Sequence, residues 1–493
     1  MVISRQLSFI AGFFLVGISN ALLADTYTGS ALGYNGNISV EIDWDEGNIV
    51  DIRVTSHSDT PAIAEPAFNE LAEQVLETQS TDIDAVSGAT DTSRGFLQAI
   101  EQARNEAEGG APEEARSGRV TATLEQEAVD GRYRGNFGDR GEQQVGVQFD
   151  LVDGLLRNIS FRHLYYSGED YLQMASEHPL YPILQQHEHI IAHMEGVHIS
   201  YLEALRDPGD MADDIDGFSG ATIRGNKLYS AFRDALNRGV YTPAGPLALD
   251  FGQFADGRYR GTFSDRGEQQ VSIQFDLVDN RFENLRFRHL AYSGTDYRSL
   301  ESGDQLYPVT RQHQEIRDHL EGKELEAIAS LFEPQEFLSD IDGFSGATVR
   351  ANKVASAIMN ALSRNVYTPA DVSSIALFTP EDGRYRGVFE DGGVQQVSVQ
   401  FTIENGVIRN PSFRHLYYAG TDYRSLREGD DLYPVLQQHD ALLESLEGLS
   451  FEDIRQLHEP ETLAPDIDGF SGATLRGNKI FSAILDAVNR GIY

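Results

Sequence analysis

Asp216-Gly-Phe-Ser-Gly-Ala-Thr222 is followed by Leu228, Ala231, Phe232, Ala235 and Leu236, a spacing of three and four that marks one apolar helix face. The string therefore stands at a helix N-terminus. Ile480, Ala483, Ile484, Ala487 and Val488 repeat the pattern after Asp468-Gly-Phe-Ser-Gly-Ala-Thr474. A further copy is Asp342-Gly-Phe-Ser-Gly-Ala-Thr348, and a variant is Asp84-Ala-Val-Ser-Gly-Ala-Thr90. The threonines lie 132, 126 and 126 residues apart, so the chain is a fourfold repeat whose last three members are close copies.

Ahead of the motif, Val397, Val399, Phe401 and Ile403 alternate with polar residues, and Asn405-Gly406 precedes an apolar resumption at Val407-Ile408. That is a β-hairpin signature. It recurs at Val145 to Leu151 and Val271 to Leu277, while Ile38, Val40, Ile42 and Trp44 lead into a turn through Glu46-Gly47-Asn48. Each of the last three units opens Asp-Gly-Arg-Tyr-Arg-Gly, at Asp130, Asp256 and Asp382. The expected class is α+β: four tandem modules, each an antiparallel sheet with packed helices. Their expected bounds are 25–110, 128–241, 254–367 and 380–493. Gly109-Gly110-Ala111-Pro112, Thr242-Pro243-Ala244-Gly245-Pro246 and Thr368-Pro369-Ala370-Asp371 read as linkers, which predicts beads on a string.

With 77 Asp+Glu against 39 Lys+Arg the net charge is −38, carried on a chain of ordinary hydrophobic content. Such surfaces repel nucleic acid and favour basic partners; adaptation to a salty habitat explains the same balance. There is no cysteine, which excludes thiolate-held iron–sulfur clusters, CxxCH haem attachment and disulfides. Residues 1–24 combine Arg5, an apolar run from Leu7 to Leu15, and small residues at Ser19, Ala21 and Ala24. They read as a secretory signal peptide and predict an extracytoplasmic, periplasmic setting; an uncleaved anchor is the alternative.

Each motif presents an aspartate (Asp84, Asp216, Asp342, Asp468), a serine (Ser87, Ser219, Ser345, Ser471), a glycine (Gly88, Gly220, Gly346, Gly472), an alanine (Ala89, Ala221, Ala347, Ala473) and the threonine. Glycine before a helix start lets a phosphate approach free backbone N–H groups at the positive end of the dipole. Arg224 and Lys227, Arg350 and Lys353, and Arg476 and Lys479 follow, where cations suit a helix start only beside an anion. A helix cap with no ligand is the bland alternative.

The string resembles the FMN-binding domain family of the periplasmic subunits of Na+-translocating NADH:quinone reductase and of the Rnf complex. Unit one, with Tyr27-Thr-Gly, His57-Ser-Asp-Thr60-Pro61 and Asp84 to Ser93, is most similar to it. The resemblance implies FMN esterified through its phosphate to Thr90, Thr222, Thr348 and Thr474, up to four per chain. It also implies a Mg-dependent flavin transferase that uses FAD, and redox partners that donate at the membrane and accept outside the cytoplasm. An electron carrier is the expectation, with no catalytic or metal site. A scaffold in which only unit one is loaded, or a flavin-dependent reductase, are the alternatives.

Two departures bear on this. Unit one continues its motif as Asp91-Thr92-Ser93, whereas the others continue Ile-Arg-Gly-Asn, Val-Arg-Ala-Asn and Leu-Arg-Gly-Asn. The others also carry Phe-Arg-His segments at Phe161, Phe287 and Phe413 in place of the His-x-x-Thr-Pro region. Those segments suit either stacking on an isoalloxazine or a plain strand end. His187, His313 and His439, with His163, His289 and His415, give each unit two histidines within possible reach of one another. Packing or phosphate contact suits them better than metal, for want of a ligand spacing.

Overall fold

The computed structural model describes residues 25–32, 37–45, 47–57, 59–81, 83, 85–86, 88–107, 128–206, 225–247, 249, 251–338, 351–378, 380–463 and 477–493. Two compact units result, Met1–Gly110 and Ala111–Tyr493. Among the described residues no helix is long and apolar enough to cross a membrane. The expected signal peptide lies outside the described residues.

The first unit is a three-stranded antiparallel sheet, β1 (Asp25–Leu32), β2 (Asn37–Asp45) and β3 (Asn48–His57), with helices α1 (Pro61–Thr78) and α2 (Thr90–Ala107). The alternating Ile38, Val40 and Ile42 are buried against Phe68, Leu71, Phe96 and Ile100 of the helices. Helix α2 lies so close to β1 that a Cβ on Gly29 would stand 2.0 Å from the Ala99 carbonyl oxygen. Only glycine fits there.

The second unit holds three copies of one arrangement. Module two runs β4 (Gly131–Asp139), β5 (Glu142–Val152), β6 (Leu155–Tyr166), β7 (Glu169–Asp170), α3 (Tyr181–Met194), α4 (Gly225–Asn237) and β8 (Thr242–Pro243). Module three repeats it as β9 (Gly257–Asp265), β10 (Glu268–Val278), β11 (Arg281–Tyr292), β12 (Thr295–Asp296), α5 (Tyr307–Leu320), α6 (Ala351–Ser363) and β13 (Thr368–Pro369). Module four has β14 (Gly383–Asp391), β15 (Val394–Glu404), β16 (Val407–Tyr418), β17 (Thr421–Asp422), α7 (Tyr433–Glu444), α8 (Pro460–Leu463) and α9 (Gly477–Asn489). All pairing in these sheets is antiparallel, and Asn405 and Gly406 both take positive φ at the expected hairpin turn.

The expectation of beads fails for these three modules. Two of the segments read as linkers are built into the sheets, since Thr242–Pro243 pairs with β4 and Thr368–Pro369 with β9, while Gly109-Gly110-Ala111-Pro112 lies outside the described residues. More decisively, the modules grip one another in a closed cycle. Arg162 of module two clamps Asp265 of module three at 2.5 Å, Arg288 of module three clamps Asp391 of module four at 2.7 Å, and Arg414 of module four returns to Asp139 of module two at 2.5 Å. A second arginine, Arg134, Arg260 or Arg386, supports each clamp from the first strand of its module. Aromatic contacts follow the same cycle: Tyr241 stacks on Phe263, Tyr367 on Phe389 and Tyr493 on Phe137.

At the centre α4, α6 and α9 each pack against the other two. Asp234 and Asp486 accept the backbone N–H groups of Asn136 and Val388 at 2.7 and 2.8 Å, and Asn360 takes the same part for Thr262 at 3.0 Å. Three buried arginines, Arg238, Arg364 and Arg490, accompany them, with Arg364 reaching across to Asp486 at 3.0 Å. Three like modules with complementary edges close a ring with pseudo-threefold symmetry, as identical subunits do in a cyclic trimer.

Candidate functional site

Thr90 is the first residue of α2 and is exposed. Gly88 before it has φ +84°, a left-handed conformation that side-chain-bearing residues resist, while its Cβ position is open space. The glycine is thus set by backbone conformation rather than by crowding. Ala89 is buried and its N–H donates to the Val86 carbonyl at 3.0 Å. Ser93 is fully buried, and its Oγ accepts the Val86 N–H at 3.1 Å. That bond ties Val86 to the first turn of α2, and Thr90 is exposed at the helix start, where the first N–H groups have no preceding turn to satisfy them. Asp84 and Ser87 lie outside the described residues.

The corresponding residues of the other modules, Asp216 and Ser219 to Thr222, Asp342 and Ser345 to Thr348, and Asp468 and Ser471 to Thr474, also lie outside the described residues. The helices they precede are described, and one contact relates them to unit one. Gly135, Gly261 and Gly387 would each bring a Cβ to 2.1–2.2 Å of a helix carbonyl oxygen, that of Ala231, Ala357 or Ala483. Each alanine stands nine residues beyond its motif threonine, and so does Ala99 beyond Thr90. One strand–helix clasp therefore occurs at one offset in all four. Sequence reading found the glycine strings without seeing what they touch.

The position of Ser93 is held by Gly225, Ala351 and Gly477, none of which has a hydroxyl. At Gly477 there is no room for one, because a Cβ would meet the Leu457 carbonyl oxygen at 1.9 Å. The next residue, which replaces Arg94, is an asparagine that serves the ring: Asn226 donates to the Tyr493 carbonyl at 3.2 Å and Asn478 to Thr368 Oγ1 at 3.3 Å.

The Phe-Arg-His segments divide their residues between interface and core. The arginines form the clamps, and the rings of His163, His289 and His415 lie against hairpin glycines of a neighbouring module, Gly267, Gly393 and Gly141. His187, His313 and His439 stay within their own modules, edge-on to Phe161, Phe287 and Phe413. The two histidines of a unit thus occupy different surroundings. Burial, aided by the nearby Lys227, Lys353 or Lys479, holds each core imidazole down at about 4. Those lysines turn inward over Tyr166, Tyr292 and Tyr418, at 4.3–4.7 Å from the ring centroids.

Residues 33–105 match the model of the FMN-binding domain family. The match lies within unit one. The chain is also 38% identical over 77 residues to an NADH:acrylate oxidoreductase of Vibrio harveyi, covering 16% of this chain and 8% of that protein. An uncharacterised protein of Treponema pallidum (strain Nichols) is 37% identical over 76 residues, covering 15% of this chain and 21% of the relative. The shared stretch is thus less than a quarter of either relative's length.

Proposed function

We propose that the chain is an extracytoplasmic electron carrier that holds FMN covalently on Thr90 and, in the three-module ring, on Thr222, Thr348 and Thr474. The carrying observation is the exposed Thr90 at the first turn of α2, behind a left-handed Gly88, within the stretch that matches the FMN-binding domain model. These residues suit the cofactor: an ester phosphate on Thr90 would lie at the positive end of the helix dipole, and the bare Gly88 leaves room beside it. The recurring strand–helix clasp supports extending the reading to the ring.

Attachment needs a transferase and FAD. The threonine Oγ forms a bond to the FMN-side phosphorus, the pyrophosphate bond to AMP breaks, AMP leaves, and the hydroxyl proton goes to base or solvent. When bound, FMN supplies reversible one- and two-electron chemistry. The protein's part is to keep the flavin from being lost where none is made, and to present it to a membrane-side donor and an extracytoplasmic acceptor. The substrate named for the Vibrio relative is not carried over, because the shared 77 residues are a small part of that protein.

A second reading, flavin on Thr90 alone with the ring as scaffold, draws on the missing Ser93 hydroxyl in modules two to four. Intact mass of protein made with a flavin transferase separates the two, with each motif threonine changed singly to alanine. Four adducts, one lost per variant, support the carrier; one adduct, lost only in Thr90→Ala, supports the scaffold; none overturns both.

A further inference from the structure

We propose that modules two and four each carry a seat for the imide edge of an isoalloxazine ring, made in module two by Gln144, His187 and Lys227 and in module four by Gln396, His439 and Lys479. The proposal rests on the flavin reading above and adds to it where the ring, rather than the phosphate, is held.

In module two these side chains, with Tyr166 and Tyr171, line one narrow cleft. Gln144 is 4% exposed and its Oε1 is buried with no hydrogen-bond partner. Gln396 is 7% exposed with the same orphaned oxygen, while its Nε2 donates to the Asp391 carbonyl, which fixes the amide's orientation. An unsatisfied buried carbonyl costs about 1–3 kcal/mol, so two at repeat-equivalent positions point to a donor that arrives from outside. In module three the corresponding oxygen is taken internally, Lys353 Nζ donating to Gln270 Oε1 at 2.7 Å. The seat is closed there.

The histidine adds a second acceptor. His187 and His439 place Nδ1 at 2.8 Å from the carbonyl oxygens of Ile183 and Val435, so Nδ1 bears the proton and Nε2 is a bare lone pair when the ring is neutral. The lysine is the cation of the set. The phosphate diester that would tether FMN offers acceptors only and would face two acceptors against one ammonium. A group that fits must present an N–H beside a carbonyl oxygen, and the flavin imide, with N3–H between two carbonyls, does so. In unit one the position of Lys227, five residues beyond the motif threonine, is held by Gly95.

The full chain is made with a flavin transferase in a Thr90→Ala, Thr348→Ala, Thr474→Ala background, so that Thr222 is the one loadable motif threonine. Loading is read by intact mass and folding by circular dichroism. The flavin's potential is then titrated with and without Lys227→Met, and with Gln144→Leu as the second variant. Removing the ammonium beside the ring edge should lower the reduced-to-oxidised ratio about tenfold, a shift of roughly 30 mV for a two-electron couple. Lys353→Met, in the closed module, should leave it unchanged. A loaded protein whose potential moves by less than threefold in that ratio in both module-two variants overturns the seat.

Should Thr222 carry no FMN, the covalent reading fails for this module, and the seat is decided separately by fluorescence titration of the unloaded chain with riboflavin. Binding that weakens at least tenfold in Gln144→Leu, and at least tenfold for 3-methylriboflavin, which lacks the imide donor, upholds it. Absence of riboflavin binding, or equal binding of the methylated analogue, overturns it.

Discussion

Unit one and the ring use one helix–strand clasp, yet they spend the residues around it differently. In unit one Ser93 ties the motif to its own helix, and the ion pairs described are local and exposed, such as Arg53 with Asp43 and Asp51. In the ring the equivalent stretch turns outward: Asn226 and Asn478 reach neighbouring modules, and the arginines of the Phe-Arg-His segments grip the aspartate of the next module. The lesson is that repetition of a motif does not show that all copies are doing the same job.

The widest gap between the two regions should appear on removing one clamp. Asp391→Asn leaves Arg288 and Arg260 without their carboxylate; breaking such a buried pair costs about 3–5 kcal/mol. Chemical denaturation should show the ring's transition shifted and that of unit one unmoved. A shift confined to module four, with modules two and three unchanged, would break the picture of one cooperative ring.

The converse test is Gly29→Val. Its side chain has nowhere to go against Ala99, and overpacking of this kind costs about 1–3 kcal/mol or more. Unit one should melt early while the ring keeps its transition, as read by calorimetry.

Acid sharpens the contrast. Burial alone would raise Asp391, but hydrogen bonds and charge from Arg288, with Arg260 and Ser272, outweigh it and hold the carboxyl below its ordinary range. Its folded value is depressed, so its stabilisation is present above about pH 4, the ordinary aspartate value, and is lost as pH falls through the folded value. Asp43 in unit one is held down at about 2 by hydrogen bonds from Arg53 and Thr26, but its ion pair with Arg53 lies at the solvent-facing surface. Thermal melts from pH 6 to 2.5 should show acid loss in the ring at both low and high salt. Any contribution from Asp43 should fade with salt.

The smallest expected effect concerns loading. Ser93→Ala removes the bond to Val86, worth about 1 kcal/mol, and should reduce FMN on Thr90. Ala351→Ser places a hydroxyl at the equivalent site of module three and should raise FMN on Thr348. Both are read by mass, and an unchanged yield in each would detach the serine from flavinylation.

Within a module the sequence was legible because hairpins and amphipathic helices are local: Asn405-Gly406 and the Leu228 to Leu236 stripe lie where their patterns place them. The ring was not legible, because Asp139 and Arg414 are 275 residues apart and nothing local distinguishes a carboxylate at a strand end from a solvated one. A usable signal was present: each near-identical copy bears both an aspartate and an arginine with no partner nearby in sequence. Three such copies can satisfy one another in a circle. Proline and glycine misdirected the linker reading, since Thr242–Pro243 and Thr368–Pro369 are short edge strands where proline is tolerated. For the site, Thr90 was found by its motif, whereas Gln144 is one glutamine among many and acquires meaning only from an unpaired oxygen.

The stacking of Tyr493 on Phe137 gives the ring a valence. Each module offers one tyrosine and one phenylalanine face, and the third returns the last tyrosine to the first phenylalanine. Order along the chain is then immaterial to the assembled object: a permuted polypeptide that begins at module three and ends at module two should form the same ring. A polypeptide with two of these modules would keep one hook and one eye open, and would find its third in another molecule.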